Sequence, residues 1–290
     1  MGDGLRGVLS EAQAKRSAVG HFNVSDIAIL KAVTSAARDM KTAVIVGASE
    51  GERTYLGTRQ IAAVIHSLRG EIDVPIFLNA DHTHSLASAL EAAKAGFDSI
   101  VFDISSLPFE ENVKQTRQAV QALKDINPAI LIEGEIGDIG TGSEIHETAS
   151  VTDGALTTAD EARQFVQATG VDALAPAIGN RHGMSRSMVE GASHKHLNLA
   201  RIAEIKAAAG CFLTLHGGSG TGDTDFVGAI RAGINIIHVN TELRVAWRRG
   251  LEKGLAADSS EVVPYKILPQ AIAAVEDVVK SRLRLFSGAS

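Results

Sequence analysis

The run Leu78-Asn79-Ala80-Asp81-His82-Thr83-His84 joins an apolar strand pattern, read from Ile76, to one acid and two histidines. These side chains ligate zinc or carry protons near neutral pH. Three more segments end in the same way: Glu133-Gly134-Glu135 after Ala129–Ile132, Arg181-His182-Gly183 after Ala173–Ile178, and His216-Gly217-Gly218 after Phe212–Leu215. One such ending is a weak signal, because a lone histidine is more often a hydrogen-bonded core or surface residue. Four on separate strands point to a site, provided that the fold brings the strand ends together.

Short β-branched runs alternate with Ala-rich amphipathic stretches along the chain, which is the pattern of βα units. The expected strands are Ala18–Val24, Ala43–Gly47, Ile76–Asp81, Ser99–Asp103, Ala129–Glu135, Ala173–Ile178, Phe212–Gly217 and Asn235–Asn240. Helical patterns between them include Ile27–Met40, Leu86–Ala95, Phe109–Lys124, Ala159–Thr169, Leu197–Ala209 and Asp223–Ala232, with Gly96, Gly170, Gly210 and Gly233 as C-caps. A chain of 290 residues is long enough for one α/β barrel or two smaller domains. Eight units without a linker favour one (β/α)8 TIM barrel spanning residues 1–290 as a single domain. Such a barrel gathers the C-terminal strand tips at one mouth, so the four endings become neighbours. Two stretches break the alternation: Ile136–Thr158 after strand five and Met184–Lys195 after strand six, both in the position of binding loops. An extra C-terminal helical region, Leu268–Leu285, extends past the eighth helix and could pack against a partner subunit.

Composition narrows the function. Hydrophobic residues make up 45% and charged residues 21%, the balance of an ordinary globular protein. A net charge of -6 argues against non-specific nucleic-acid binding, which needs a basic face. The single cysteine, Cys211, allows no intramolecular disulfide and fits a reducing cytoplasm. The start Met1-Gly2-Asp3-Gly4-Leu5-Arg6 lacks a signal-peptide pattern, and no apolar run approaches the roughly 20 residues that span a bilayer.

Within the mouth, His82, His182 and His216, with Glu135 as a candidate fourth, supply the nitrogen and oxygen ligands that suit zinc. Asp81, next to the first of them, is placed to exchange a proton with a bound substrate. His194 and His196 fall in a polar loop, and His21, His66 and His146 stand without partners; all five read as structural. The turn His216-Gly217-Gly218-Ser219-Gly220-Thr221-Gly222 leads into a helix from Asp223. Its N–H groups suit a phosphate, although a glycine cluster alone also fits a tight turn. Asn240 and Thr241, at the tip of strand eight, add donors beside it.

These residues together resemble the class II, zinc-dependent fructose-bisphosphate aldolase family, which includes the tagatose-bisphosphate aldolases. The resemblance runs from His21-Phe22-Asn23-Val24 to about Leu251. It passes through Val44–Gly51, Phe102–Ser105 with Pro108–Asn112, Ile178–Gly183, His216–Gly220 and Val239–Leu243, in the family order. It implies reversible aldol cleavage of a ketose 1,6-bisphosphate, fructose or tagatose, in a cytoplasmic homodimer or homotetramer, with Zn2+ and in addition a monovalent cation, Na+ or K+. Zinc would sit on His82, His182 and His216, with Glu135 near it, and Asp81 would exchange the C4 hydroxyl proton. Asp103 and Ser105 would support the pocket. Gly183, Gly217 and Ser219 would meet the first phosphate and the monovalent cation, with Asn23, Ser49, Gly218, Asn240 and Thr241 as further substrate or phosphate contacts. Glu144, in Gly140-Thr141-Gly142-Ser143-Glu144, is the nearest match to the family's mobile-loop glutamate. Arg282 or Arg284 would hold the second phosphate.

Two departures stand out. His238 replaces the asparagine usual in the Asn-Val-Asn-Thr-Glu motif, where it contacts the ketose. The loop after His182-Gly183 lacks the family's nearby lysine, for which Arg186 is the expected substitute. Other classes remain as rivals. A Schiff-base aldolase needs a lysine at a strand tip, and none of the expected strands ends in one. A metal-dependent hydrolase would use His82-Thr83-His84, but on its first strand. A non-catalytic aldolase-like subunit is suggested by His238 alone.

Overall fold

The structure, a computed structural model, describes residues 4–140, 142–147 and 156–288. Met1-Gly2-Asp3, Thr141 of the glutamate loop, residues 148–155 of the long insertion and Ala289-Ser290 lie outside them. The eight barrel strands are β1 (Val19–Asn23), β2 (Val44–Ser49), β3 (Ile76–Thr83), β4 (Ser99–Phe102), β5 (Leu131–Ile136), β6 (Ala173–Pro176), β7 (Phe212–Leu215) and β8 (Ile234–Val239). All neighbouring pairs are parallel, and β1 pairs with both β2 and β8, so the sheet closes. The expected strands are all present, with ends displaced by no more than about two residues, the usual uncertainty of such boundaries.

Alternation along each strand sorts the barrel interior into layers. At the base, Val19, Ile45, Phe77, Leu131, Ala173 and Ile236 form an apolar cluster. The helix Leu5–Ala14 plugs it from below with Leu5, Leu9 and Ala12, a role that the βα alternation does not signal. Two residues further along several strands the interior turns polar. His21 bonds Asn79 at 3.1 Å, Asn79 donates to Ser99 at 2.7 Å, and Thr214 donates to Glu133 at 2.5 Å. Two residues further again stand Asn23, Ser49, Asp81 and Glu135, at the mouth. The larger apolar core lies outside, between the strands and the surrounding helices.

The C-terminal helix Pro269–Phe286 packs on the protein's own helices Ile27–Met40 and Thr241–Ala257. Ala271, Val275, Val279, Leu283 and Phe286 recur at helical spacing and are all buried, so its apolar stripe is used up within the chain. The two insertions meet each other. Ile145–His146 and Met184–Ser185 form a two-residue parallel ladder at the rim, followed by the short helix Arg186–Val189.

Candidate active site

Asp81 and His82 are adjacent, and strict alternation would send them to opposite faces of β3. The pairing of β3 with β4 slips between Ala80 and Thr83, and His82 takes a left-handed φ of 41°. Such an irregularity re-aims side chains and persists where the surroundings hold it. Both residues therefore line one cavity of about 30 Å³, with Asn23, Ser143, His182, Gly183, Gly217, Ser219, His238, Asn240 and Thr241. Arg53, which is buried, secures the slip: it donates to the carbonyls of Ala48 and Asp81 and to the Thr83 and Ser88 hydroxyls.

One ring nitrogen from each of His82, His182 and His216 lies within 4.8 Å of those of the other two. His82 Nδ1 bonds Asp103 Oδ2 at 2.8 Å, and His182 Nδ1 bonds the Gly140 carbonyl at 2.8 Å. Each such bond orients the ring and leaves Nε2 as the prospective ligand atom, the usual outer arrangement of metal histidines. His216 has both nitrogens engaged, Nδ1 with Glu135 at 2.7 Å and Nε2 with Glu133 at 2.6 Å. Burial opposes charging His216, but the two carboxylates outweigh it and lift its pKa well above the ordinary value. Burial likewise lowers His82, yet Asp81 and Asp103 raise it to about 9. Burial and the neighbouring His82 pull His182 down to about 3. His82 and His182, each with one nitrogen on an oxygen partner behind it, fit a zinc ion, and His216 joins them by exchanging one of its two carboxylate contacts for the metal. Ser105 completes the shell, donating to Asp103 at 2.7 Å and Glu135 at 3.2 Å.

Asp81 is buried, and its Oδ2 accepts from Asn23 Nδ2 at 2.8 Å. Its Oδ1 has no hydrogen bond; His238 Nδ1 at 3.4 Å and His82 Nε2 at 3.8 Å face it, and burial with the neighbouring His21 and His216 holds the His238 pKa well below the ordinary value. Burial raises the carboxyl, but His82 and His238 outweigh it and hold it well below the usual carboxylate range. The amide of Asn23 is shared with Glu52, which also accepts from Arg244 at 2.8 Å and caps its own helix through the Ser49 N–H.

His84, the second histidine of the opening motif, turns outward and bonds the Asp103 carbonyl at 2.8 Å. Among the phosphate candidates, the Ser219 hydroxyl accepts from the N–H groups of Asn240 (3.2 Å) and Glu242 (3.3 Å), tying the tips of β7 and β8 together. Gly217 and Gly218 are required by close approach: a Cβ would come within 2.1 Å of the Arg181 carbonyl and 2.6 Å of the His238 carbonyl. Glu144 is exposed, although Ser143 beside it reaches the cavity, where Asn240 Nδ2 donates to its hydroxyl at 3.2 Å.

Several expectations change. Arg282 pairs with Glu242 and Asp223, each at 2.8 Å, and Arg284 is exposed. Neither lines the cavity; a C-terminal helix packed on the barrel wall carries them elsewhere. Arg186 is an exposed partner of Glu147 and supplies no charge to the pocket. The buried cation is Lys195, whose Nζ lies against the carbonyls of Arg181, Gly183, Gly217 and Ser219. His21 is no bland core residue: its ring stacks on His238. Glu133 and Glu52 also enter the site. Glu133 had a sequence signal, as the first acid of Glu133-Gly134-Glu135; the others depend on contacts distant in sequence.

A closed parallel barrel with an aspartate and three histidines around one cavity at its C-terminal mouth has the makings of a metal-dependent barrel enzyme. A family model described as fructose-bisphosphate aldolase class-II matches residues 3–290. A fructose-bisphosphate aldolase from Thermus caldophilus is 34% identical, over 96% of this chain and 96% of its own length. A probable fructose-bisphosphate aldolase from Bacillus subtilis is 32% identical, over 98% and 96%. Among solved structures, the YdjI aldolase of Escherichia coli K12 superposes with a TM-score of 0.81 at 28% identity, over 97% of this chain and 96% of that one. A putative fructose-1,6-bisphosphate aldolase from Coccidioides immitis gives 0.83 at 25%, over 99% and 98%. The chain belongs to the class II fructose-bisphosphate aldolase family. It is accordingly an aldolase, a carbon–carbon lyase.

Proposed function

We propose that the protein cleaves fructose 1,6-bisphosphate reversibly to dihydroxyacetone phosphate and glyceraldehyde 3-phosphate, with Zn2+ on His82, His182 and His216. The observation that carries this reading is the bulged tip of β3, which puts Asp81 and His82 side by side in the cavity shared with His182 and Ser219. Zinc there would supply the charge that polarises the substrate ketone.

The chain's own residues do the rest. Asp81 takes the proton from the C4 hydroxyl as the C3–C4 bond breaks and returns it in the reverse direction. Asn23 holds Oδ2, so Oδ1 is the oxygen left for the proton. Glu144, on the rim loop, moves the proton at C3. Gly183, Gly217, Gly218, Ser219, Asn240 and Thr241 hold the phosphate of the dihydroxyacetone half through N–H and hydroxyl donors. Ser49 and Arg244, which flank a second hollow with Glu52 and Trp247, hold the other phosphate in place of Arg282 or Arg284. Ser143, on the loop beside Glu144, accepts from Asn240 at the cavity, and that contact would be exchanged for substrate as the loop moves.

The deciding experiment is zinc analysis combined with a fructose 1,6-bisphosphate cleavage assay, with and without chelator. Turnover that requires zinc and returns on its readdition is expected. Turnover that survives complete metal removal would defeat the mechanism.

A further inference from the structure

Lys195 closes the insertion after β6, and it is buried. Its main chain is fixed to the glycine turn, with its N–H donating to the Gly220 carbonyl at 2.8 Å and a bridge to Thr221. From there Nζ lies 2.6 Å from the carbonyl oxygens of Arg181 and Gly183, after β6, and 2.9 and 2.6 Å from those of Gly217 and Ser219, after β7. The N–H of each of these four peptide groups is already committed. His182 donates to Ile139, Met184 to Glu144 and Gly218 to His238, each at 3.0 Å, and Gly220 donates to Glu242 at 2.8 Å. Four carbonyl oxygens are thus left to converge on one point.

A converging set of backbone carbonyls is how proteins hold a bare monovalent cation. A neutral amine would turn a lone pair toward one of these oxygens, whereas an ammonium offers three donors and no acceptor. The distances are those of charge-assisted hydrogen bonds, about 2.7–2.9 Å, or shorter. Burial pulls the Lys195 pKa down to about 8, with Glu242 opposing, and the carbonyl dipoles act on the same side as Glu242.

We infer that the Lys195 ammonium is a built-in monovalent cation, filling the carbonyl cradle beneath the phosphate loops so that the protein works without free Na+ or K+. Gly183, Gly217 and Ser219 are the residues expected to meet such an ion, and their carbonyls are already occupied by this chain's own side chain. The tether also staples the loops after β6 and β7 to each other, and a covalently attached charge needs no concentration of free ion to stay in place. Lys195 is a positioning residue: it does not line the substrate cavity. Calling these the phosphate loops rests on the proposed aldolase reaction; the occupancy of the cradle does not.

The test is run at pH 7 and constant ionic strength in tetramethylammonium, Na+, K+ or NH4+ chloride. The zinc-loaded wild-type protein is expected to show the same kcat/KM for fructose 1,6-bisphosphate, within about twofold, in every salt. Its thermal midpoint should be equally insensitive. Lys195→Met should lose on the order of 100-fold in kcat/KM in tetramethylammonium and recover at least about tenfold in K+ or NH4+, with a parallel rise in its thermal midpoint. Wild-type activity or stability that depends on K+ or Na+ would overturn the inference. So would a folded Lys195→Met that is fully active in tetramethylammonium, or one that gains nothing from any monovalent ion. If the variant folds in no salt, the wild-type salt series and Tl+ binding to the wild type decide, with saturable Tl+ binding at the loops counting against it. Absence of fructose 1,6-bisphosphate turnover would remove the proposed reaction while leaving the midpoint and Tl+ readouts intact.

Discussion

The imidazole rings of His21 and His238 lie face to face, with centroids 3.5 Å apart and planes 5° from parallel. The stack follows from the backbone, because β1 and β8 pair with His21 opposite His238. It also needs Gly47 on β2, where a Cβ would come within 2.1 Å of the His21 ring. Two fully or nearly buried histidines, one of them beside Asp81, are thus held by an absent side chain on a third strand.

Gly47→Ala should therefore destabilise the protein by roughly 1–3 kcal/mol, the usual cost of forcing extra volume into a packed interior. Urea unfolding measures this as a lower midpoint. Adding His21→Ala removes the clashing ring, so the double variant should be more stable than the sum of the single changes. Simple additivity would show that the close approach is relieved in some other way.

His238 has a test of its own. Its Nδ1 lies 3.4 Å from the Asp81 oxygen that lacks a hydrogen bond, nearer than His82 Nε2 at 3.8 Å. His238→Ala is expected to keep zinc and lower kcat by more than about tenfold, the scale of one lost positioned proton partner. Unchanged kcat with altered stability would reduce the stack to packing. Asp81→Ala is the companion variant, expected to keep zinc and lose about 100-fold or more in turnover.

Asp103 orients His82 through a 2.8 Å bond and is joined to Glu135 through Ser105. Asp103→Asn should weaken zinc about 10–100-fold in chelator competition, the range for loss of such a supporting partner. The pH dependence has a defined sign. His82 is raised to about 9, so its proton competes with the metal below that pH, and zinc affinity should fall as pH is lowered through 9 toward 7. An affinity flat across that interval would contradict the ordering of Asp81, Asp103 and His82.

Cys211 gives a readout of folding. Burial pushes its thiol up to about 12, so the unreactive neutral form persists at pH 8. Alkylation of the native protein should be slower than that of an unfolded thiol by on the order of a thousandfold, since only the thiolate reacts. A folded-state pKa raised above the ordinary value makes a contribution that is fully present below about 9 and is lost as pH rises toward 12. Rapid labelling at pH 8 without denaturant would mean that the Cys211 environment opens.

Much of the candidate site is legible in the sequence. Asp81, His82, His182 and His216 each end an apolar run, and the period-two strand pattern with intervening helices implies a barrel whose tips converge. Glu135 is visible in the same way, and Asp103 through the family resemblance. Residues acting through partners are not. Arg186 and Lys195 occupy one insertion and carry the same charge, yet the first pairs with Glu147 at the surface and the second is buried among four carbonyls. Loop path decides between them, and loop path is set by contacts such as that of Lys195 with Gly220.

The amino-acid sequence by itself determined the eight-strand barrel, the class of chemistry and the strand-tip residues, because side-chain periodicity and strand termination are local properties of the chain. Only the tertiary structure decided that His21 supports His238, that Glu133 and Glu135 both claim His216, and that Lys195 fills the cradle between two loops. Those relations join residues as many as 217 positions apart, and they exist only once the barrel has closed and each buried polar group has had to find a partner.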